Sequence, residues 1–180
     1  MKELIHADVE RIMLTEPEIQ TRVKEIAAKL DMIYKGRNPI VVCILRGSVV
    51  FFADLIRNMQ TEMELDFMSV SSYGAGAVSS GELKIKQDLR SNIQGRDVLI
   101  VEDIIDTGRT LNDVVKLLKA RNPLSLRVVT LLDKPSRRLV EFEPDMALFE
   151  IEDHFVIGYG LDCGELYRNL PYIAEYDESK

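Results

Sequence analysis

Residues 98–111 read Val-Leu-Ile-Val-Glu-Asp-Ile-Ile-Asp-Thr-Gly-Arg-Thr-Leu, an apolar run that ends in carboxylates and passes through a glycine turn into a helix start. Few architectures accommodate it. A short β-branched stretch without polar alternation reads as a strand covered on both faces, the mark of a parallel sheet sandwiched by helices. The strand predicted over 98–101 delivers Glu102 and Asp103, then Asp106. Gly108 lets the backbone turn tightly against an anion, the free amides of the following helix point outward, and Thr107 and Thr110 add hydroxyl donors. Three carboxylates beside an anion site need a positive partner, and a divalent cation meets that need. The run is not a Walker A loop, because Asp103 stands five positions before Gly108 and Arg109 replaces the lysine.

The rest of the chain supplies the expected companions. Thr15-Glu16-Pro17-Glu18 is a capping box with proline in the first turn, opening a helix whose apolar positions Ile19, Val23, Ile26, Ala27, Leu30 and Ile33 recur every three or four residues. Residues 40–45 repeat the unalternating strand pattern, and Arg46-Gly47-Ser48 turns into a helix over 49–59. Further strands are expected at 65–72, 83–89, 126–132, 146–151 and 155–161, with a helix at 111–120. Glycines and small residues over 73–81 offer little to anchor, so a mobile loop is expected there. Strands alternating with helices give an α/β fold with a parallel central sheet flanked by helices. Ligands of such sheets bind beyond the carboxyl ends of the strands, where Arg46-Gly47, Ser72-Tyr73, residues 102–110 and Lys134 all fall.

Composition excludes several classes. A chain of 180 residues with 46% hydrophobic and 29% charged residues suits one globular domain. A net charge of −7 argues against a nucleic-acid surface. No apolar run suggests a signal peptide or a membrane span, so a cytoplasmic location is expected. Cys43 and Cys163 read as unpaired thiols, and His6 and His154 are isolated, with no zinc spacing.

The run at 98–111 closely resembles the phosphoribosyl-pyrophosphate (PRPP) motif of type I phosphoribosyltransferases, and its Glu-Asp-Ile-Ile-Asp-Thr-Gly core is similar to that of the hypoxanthine-guanine phosphoribosyltransferases. Four more segments match in order. Leu45-Arg46-Gly47-Ser48 resembles the family's pyrophosphate loop, which implies a cis bond between Leu45 and Arg46. Ser71-Ser72-Tyr73-Gly74 resembles the flexible loop that closes over the reacting centre, with Ser72 and Tyr73 on pyrophosphate. Lys134 resembles the lysine that recognises the purine O6; an ammonium only donates, so it suits hypoxanthine or guanine and meets a competing donor in adenine. Residues 153–162 resemble the base and metal segment: Phe155 stacks on the purine, the Val156 backbone reads its edge, Asp162 helps bind a second magnesium, and Arg168 meets pyrophosphate. Cys163 stands where an aromatic is common in the family.

The resemblance implies the type I phosphoribosyltransferase fold, with a core over about 15–152 and a small hood from about 1–14 and 153–180. It implies a purine salvage enzyme that moves the 5-phosphoribosyl group of PRPP to N9 of hypoxanthine or guanine. Mg2+ acts on pyrophosphate and ribose beside Glu102 and Asp103, residues 107–110 hold the 5′-phosphate, and Asp106 is the general base. A homodimer or homotetramer is implied. Two alternatives differ: a regulatory PRPP sensor that binds nucleic acid, which the acidic charge and the retained Asp106 oppose, and an enzyme acting on xanthine, adenine or a pyrimidine. Xanthine stays open. Asp106→Ala is expected to lose turnover yet keep its PRPP affinity, which paired activity and binding measurements check.

Overall fold

A computed structural model describes residues 6, 8–71 and 83–179. Ser72, Tyr73 and the whole of the predicted loop at 73–81 lie outside the described residues. The order of elements is β1 (Val9–Leu14), α1 (Glu16–Ile33), β2 (Ile40–Leu45), α2 (Val49–Asn58), β3 (Glu64–Ser71), β4 (Lys84–Gln87), β5 (Asp97–Ile105), α3 (Arg109–Lys119), β6 (Ser125–Asp133), a single 3-10 turn at Pro135–Arg137, β7 (Met146–Glu150), β8 (Val156–Ile157) and β9 (Ile173–Tyr176).

Six strands form the central sheet in the order β4-β3-β2-β5-β6-β7. All neighbours are parallel except the β3–β4 pair. The unalternating strands fill two cores at once. Val41, Cys43, Leu99 and Val101 pack with α1 and α2 on one face, and Ile40, Val42, Val98 and Ile100 pack with α3 on the other. Helix α1 begins as its capping box requires, with the Glu18 carboxylate accepting the Thr15 N–H at 2.8 Å and its hydroxyl at 2.6 Å. Its buried stripe is Ile19, Val23, Ile26, Ala27 and Leu30.

Several expectations need correction. The motif strand does not stop at Val101 but runs to Ile105, because β6 continues to pair with it as far as Asp133. Glu102 and Asp103 are therefore strand residues. Face alternation breaks at these two: Ile104 packs on the α1/α2 core and Ile105 in the α3 core, the reverse of the order set by 98–101. Helix α3 starts at Arg109, two residues before the expected position. Helices do not fill every crossover, since β6 reaches β7 with only the 3-10 turn between them.

The predicted strand at 155–161 is two residues long and leaves the central sheet altogether. Val156–Ile157 joins β1 and β9, neither of which was anticipated, in a three-stranded antiparallel sheet ordered β1-β9-β8. Positive φ values at Gly158, Tyr159 and Gly160 end the strand there. We call this second sheet and its connections the hood. Among the described residues no helix is long and apolar enough to cross a membrane.

Leu30 is fully buried between α1 and the sheet. Leu30→Ala is expected to destabilise the protein by about 2–5 kcal/mol, read as a lower urea midpoint with an unchanged slope.

Candidate active site

The chain runs outward from β2 to β3 in one direction and from β5 through β6 to β7 in the other, so the sheet has a topological switch point between β2 and β5. Ligands of open α/β sheets bind in the crevice outside such a point. Arg46-Gly47 leaves β2 on one side of it, and Glu102 and Asp103 lie near the end of β5 on the other.

The two strand ends touch. The Leu45–Arg46 peptide is cis, and a Cβ on Gly47 would sit 1.5 Å from Asp103 Oδ2. Only glycine fits against that carboxylate. Glu102 accepts the Asp103 amide at 3.0 Å, and Asp103 accepts the Ile104 amide at 2.7 Å. Burial and the neighbouring Asp103 charge hold the Glu102 carboxyl well above its usual range. Asp103 is also raised, chiefly by burial, with the Arg168 guanidinium pulling the other way. Two desolvated carboxylates side by side are oxygen donors of the kind that could help hold a hard divalent cation. Among the described residues no group of three or more His, Cys, Asp or Glu could hold a metal by itself. Asp162 does not complete the Glu102–Asp103 pair.

Beyond β5 the chain forms the anion loop. Gly108 takes φ +78° and precedes α3, whose first amides lack intrahelical partners. A cavity of about 120 Å3 opens here, lined by Glu102, Asp106, Thr107, Gly108 and Thr110 among others. Helix N-terminal amides and two hydroxyls suit it to phosphate. The segment after β6 lies over the loop, with Leu139 N–H donating to the Thr107 carbonyl at 3.0 Å. A Cβ on Gly108 would meet Arg138 Cδ at 2.8 Å. Arg109 is exposed. A larger cavity, about 1040 Å3, lies under the β6–β7 connection among residues such as Arg22, Phe142 and Glu150. Size does not favour it, because the chemistry of the switch point lies elsewhere.

The hood closes the crevice from above. A Cβ on Gly160, at φ +104°, would approach the Gly47 carbonyl oxygen to 2.0 Å, so Gly47 is sandwiched between the hood and Asp103. The Gly158-Tyr159-Gly160 turn is pinned by Tyr159, whose hydroxyl donates to Asp54 of α2 at 2.6 Å. Burial and the Asp54 carboxylate push that phenol far up in pKa. Arg168 donates to the Gly160 carbonyl at 2.8 Å and pairs with Asp162 at 2.8 Å. Arg46 reaches the hood through an ion pair with Glu165. Lys134 is buried just after β6, donating to the His154 carbonyl at 2.6 Å with Asp153 at 3.4 Å. Phe155 is 45% exposed, edge-on to Tyr176, and Val156 next to it is buried.

The structure thus brings Arg46, Gly47, Asp103, Asp162 and Arg168 together, and sets Lys134 and residues 153–156 beside the loop of 106–110. The sequence gives no sign of Asp54, Glu165, Arg137 or Arg138, and it places Asp153 and Tyr159 in the 153–162 segment without a role for either. Arg137-Arg138 carries no periodic signal, and its significance comes only from contact with Asp106, to which Arg137 Nε donates at 3.1 Å.

A family model described as "Phosphoribosyl transferase domain" matches residues 12–163. The chain belongs to the phosphoribosyltransferase family. Its similarity runs to the hypoxanthine-guanine members: it is 51% identical over 167 residues to the hypoxanthine-guanine phosphoribosyltransferase of Bacillus subtilis, covering 93% of each chain. A crystal structure of a hypoxanthine phosphoribosyltransferase from Staphylococcus aureus superposes with a TM-score of 0.92 at 48% identity, covering 98% of this chain and 96% of that one. The bifunctional protein TilS/HprT of Listeria monocytogenes is 51% identical over 172 residues, 96% of this chain; the chain spans only 26% of that longer protein.

The carboxylate pair has a pH consequence. Glu102's folded pKa is raised, so the native state holds its proton more tightly than the unfolded chain does, and stability falls as pH climbs from the usual carboxylate range through the raised value. Glu102→Gln removes that penalty. Its melting temperature without ligands is expected to exceed the parent's by several degrees near pH 8 and to converge with it near about pH 4; thermal scans across pH check this.

Proposed function

We propose that this chain is a purine salvage enzyme that transfers the 5-phosphoribosyl group of PRPP to N9 of hypoxanthine or guanine, giving IMP or GMP and pyrophosphate. The observation that carries the reading is the contact at Gly47. There the pyrophosphate-type loop, the β5 carboxylates and the hood meet, with a phosphate-sized anion loop directly alongside.

The residues divide the work as follows. Amides and hydroxyls over Thr107, Gly108, Arg109 and Thr110 take the 5′-phosphate, fixing C1′ against the base. Glu102 and Asp103 take the ribose hydroxyls and would hold one Mg2+; Asp162 would contribute to a second. When bound, the metal neutralises charge on pyrophosphate and so improves the leaving group. Arg46, Gly47, Ser72, Tyr73 and Arg168 serve the pyrophosphate. Lys134 donates to O6, the exposed Phe155 face stacks on the purine, and the Val156 backbone meets its edge.

As N9 bonds to C1′, the C1′–oxygen bond to pyrophosphate breaks and its electron pair leaves with pyrophosphate. The proton on purine N7 passes to Asp106. General-base help of this kind is worth about 10² to 10⁴ in rate. The hood over the crevice limits the access of water, which would otherwise trap the oxocarbenium-like ribosyl centre.

The unit is one transferase domain with its core over about 15–152 and hood at about 1–14 and 153–180, working in the cytoplasm. Leu65 and Phe67 lie on one face of β3 beside Phe52 of α2 and remain 44% and 37% exposed. A homodimer or homotetramer would cover them.

Purified protein given PRPP, Mg2+ and single purine bases is expected to form nucleotide with hypoxanthine and guanine and not with adenine. No product from either 6-oxopurine would overturn the assignment.

A further inference from the structure

Asp106 is held by Arg137, a residue to which the reaction described above gives no part. Arg137 Nε donates to Asp106 Oδ1 at 3.1 Å, and Arg137 Nη1 lies 3.4 Å from Asp153 Oδ2. Asp153 Oδ1 in turn lies 3.4 Å from Lys134 Nζ. Arg138 clamps the backbone beneath, donating to the Asp106 carbonyl at 2.6 Å while pairing with the Asp133 carboxylate. One anion, Asp153, is therefore shared between the lysine assigned to the base and the arginine on the proton acceptor.

We propose that Arg137, anchored by Asp153, is the positioning residue that orients the Asp106 carboxylate to receive the purine proton. The proposal rests on the role of Asp106 given above. A guanidinium is always charged and only donates, so Arg137 cannot be the base. What it can do is occupy Oδ1 with a directional bond and leave Oδ2 to receive the proton. Among the described residues no other side chain bonds this carboxylate.

A purely structural role fits poorly. The side chains of Arg137, Asp106 and Asp153 are 47%, 46% and 51% exposed, and ion pairs so open to solvent add little to stability. Orientation is what the pair can supply. Asp153 lies in the turn just before Phe155 and contacts Lys134 as well as Arg137, so occupancy of the base subsite and placement of the proton acceptor are set by one bridge.

The test uses the full chain with hypoxanthine, PRPP and Mg2+. Arg137→Gln is expected to lower kcat about tenfold or more and to move the acidic limb of the kcat/KM profile for the base to higher pH. PRPP affinity and melting temperature stay at the parent's values. Arg137→Lys recovers part of the rate and of the pH profile, and Asp153→Asn shifts both in the same direction by less. In an Asp106→Ala background, single-turnover rates are unchanged by adding Arg137→Gln. The proposal is overturned by an Arg137→Gln enzyme with the parent's kcat and an unmoved acidic limb, or by a further loss in the Asp106→Ala background. A parent protein that makes no nucleotide overturns the functional assignment and this proposal together; an active parent with an indifferent Arg137→Gln overturns only the latter.

Discussion

Negative charge packed into the end of β5 is the constraint that the rest of the site answers. Glu102 and Asp103 lie side by side where burial raises the cost of ionising both. The surrounding features make that arrangement usable. Gly47 gives the Asp103 carboxylate room, Arg168 brings positive charge from the hood, and α3 begins a few residues on with its dipole and amides free for an anion. An acidic pair beside an anion site calls for positive charge between the two, and in the function proposed above a divalent cation would supply it.

The second theme is the seam between the two sheets. Parallel strands and their helices build a stable platform, but in the reaction proposed above a crevice open to water would expose a ribosyl cation to hydrolysis. The hood covers the switch point, and its fastenings include Tyr159 to Asp54, Gly160 against the Gly47 carbonyl, and Lys134 to the His154 carbonyl. Each of these joins a core element to the segment 153–162. The platform and the cover are thereby registered on each other by hydrogen bonds and backbone contact as well as by side-chain packing.

The central elements were legible because their signals are local. The capping box at Thr15, the unalternating runs of β2 and β5, and the amphipathic stripe of α1 each lie within a few residues of chain. The reach of β5 to Ile105 was not, since polar Glu102 and Asp103 look like a strand end, and only pairing with β6 keeps them in the sheet. Strands β1 and β9 escaped for a related reason: each is short and half-covered, and each exists through pairing with the other across most of the chain's length. Val156–Ile157 looked like part of a longer strand because the glycines after it say nothing locally about which sheet the strand will join.

By itself, the sequence determined the parallel sheet, the anion loop, and the family to which the contiguous residues 98–111 point, because those features depend on the order of neighbouring residues. Only the tertiary structure decided what the carboxylates face. It placed Gly47 under Gly160, joined Arg46 to Glu165, and set Arg137 and Asp153 around Asp106. These contacts span from 16 residues, between Arg137 and Asp153, to more than a hundred residues of chain. No periodicity or spacing encodes them, since they arise where segments distant in the chain come together and steric fit, burial and charge act between them.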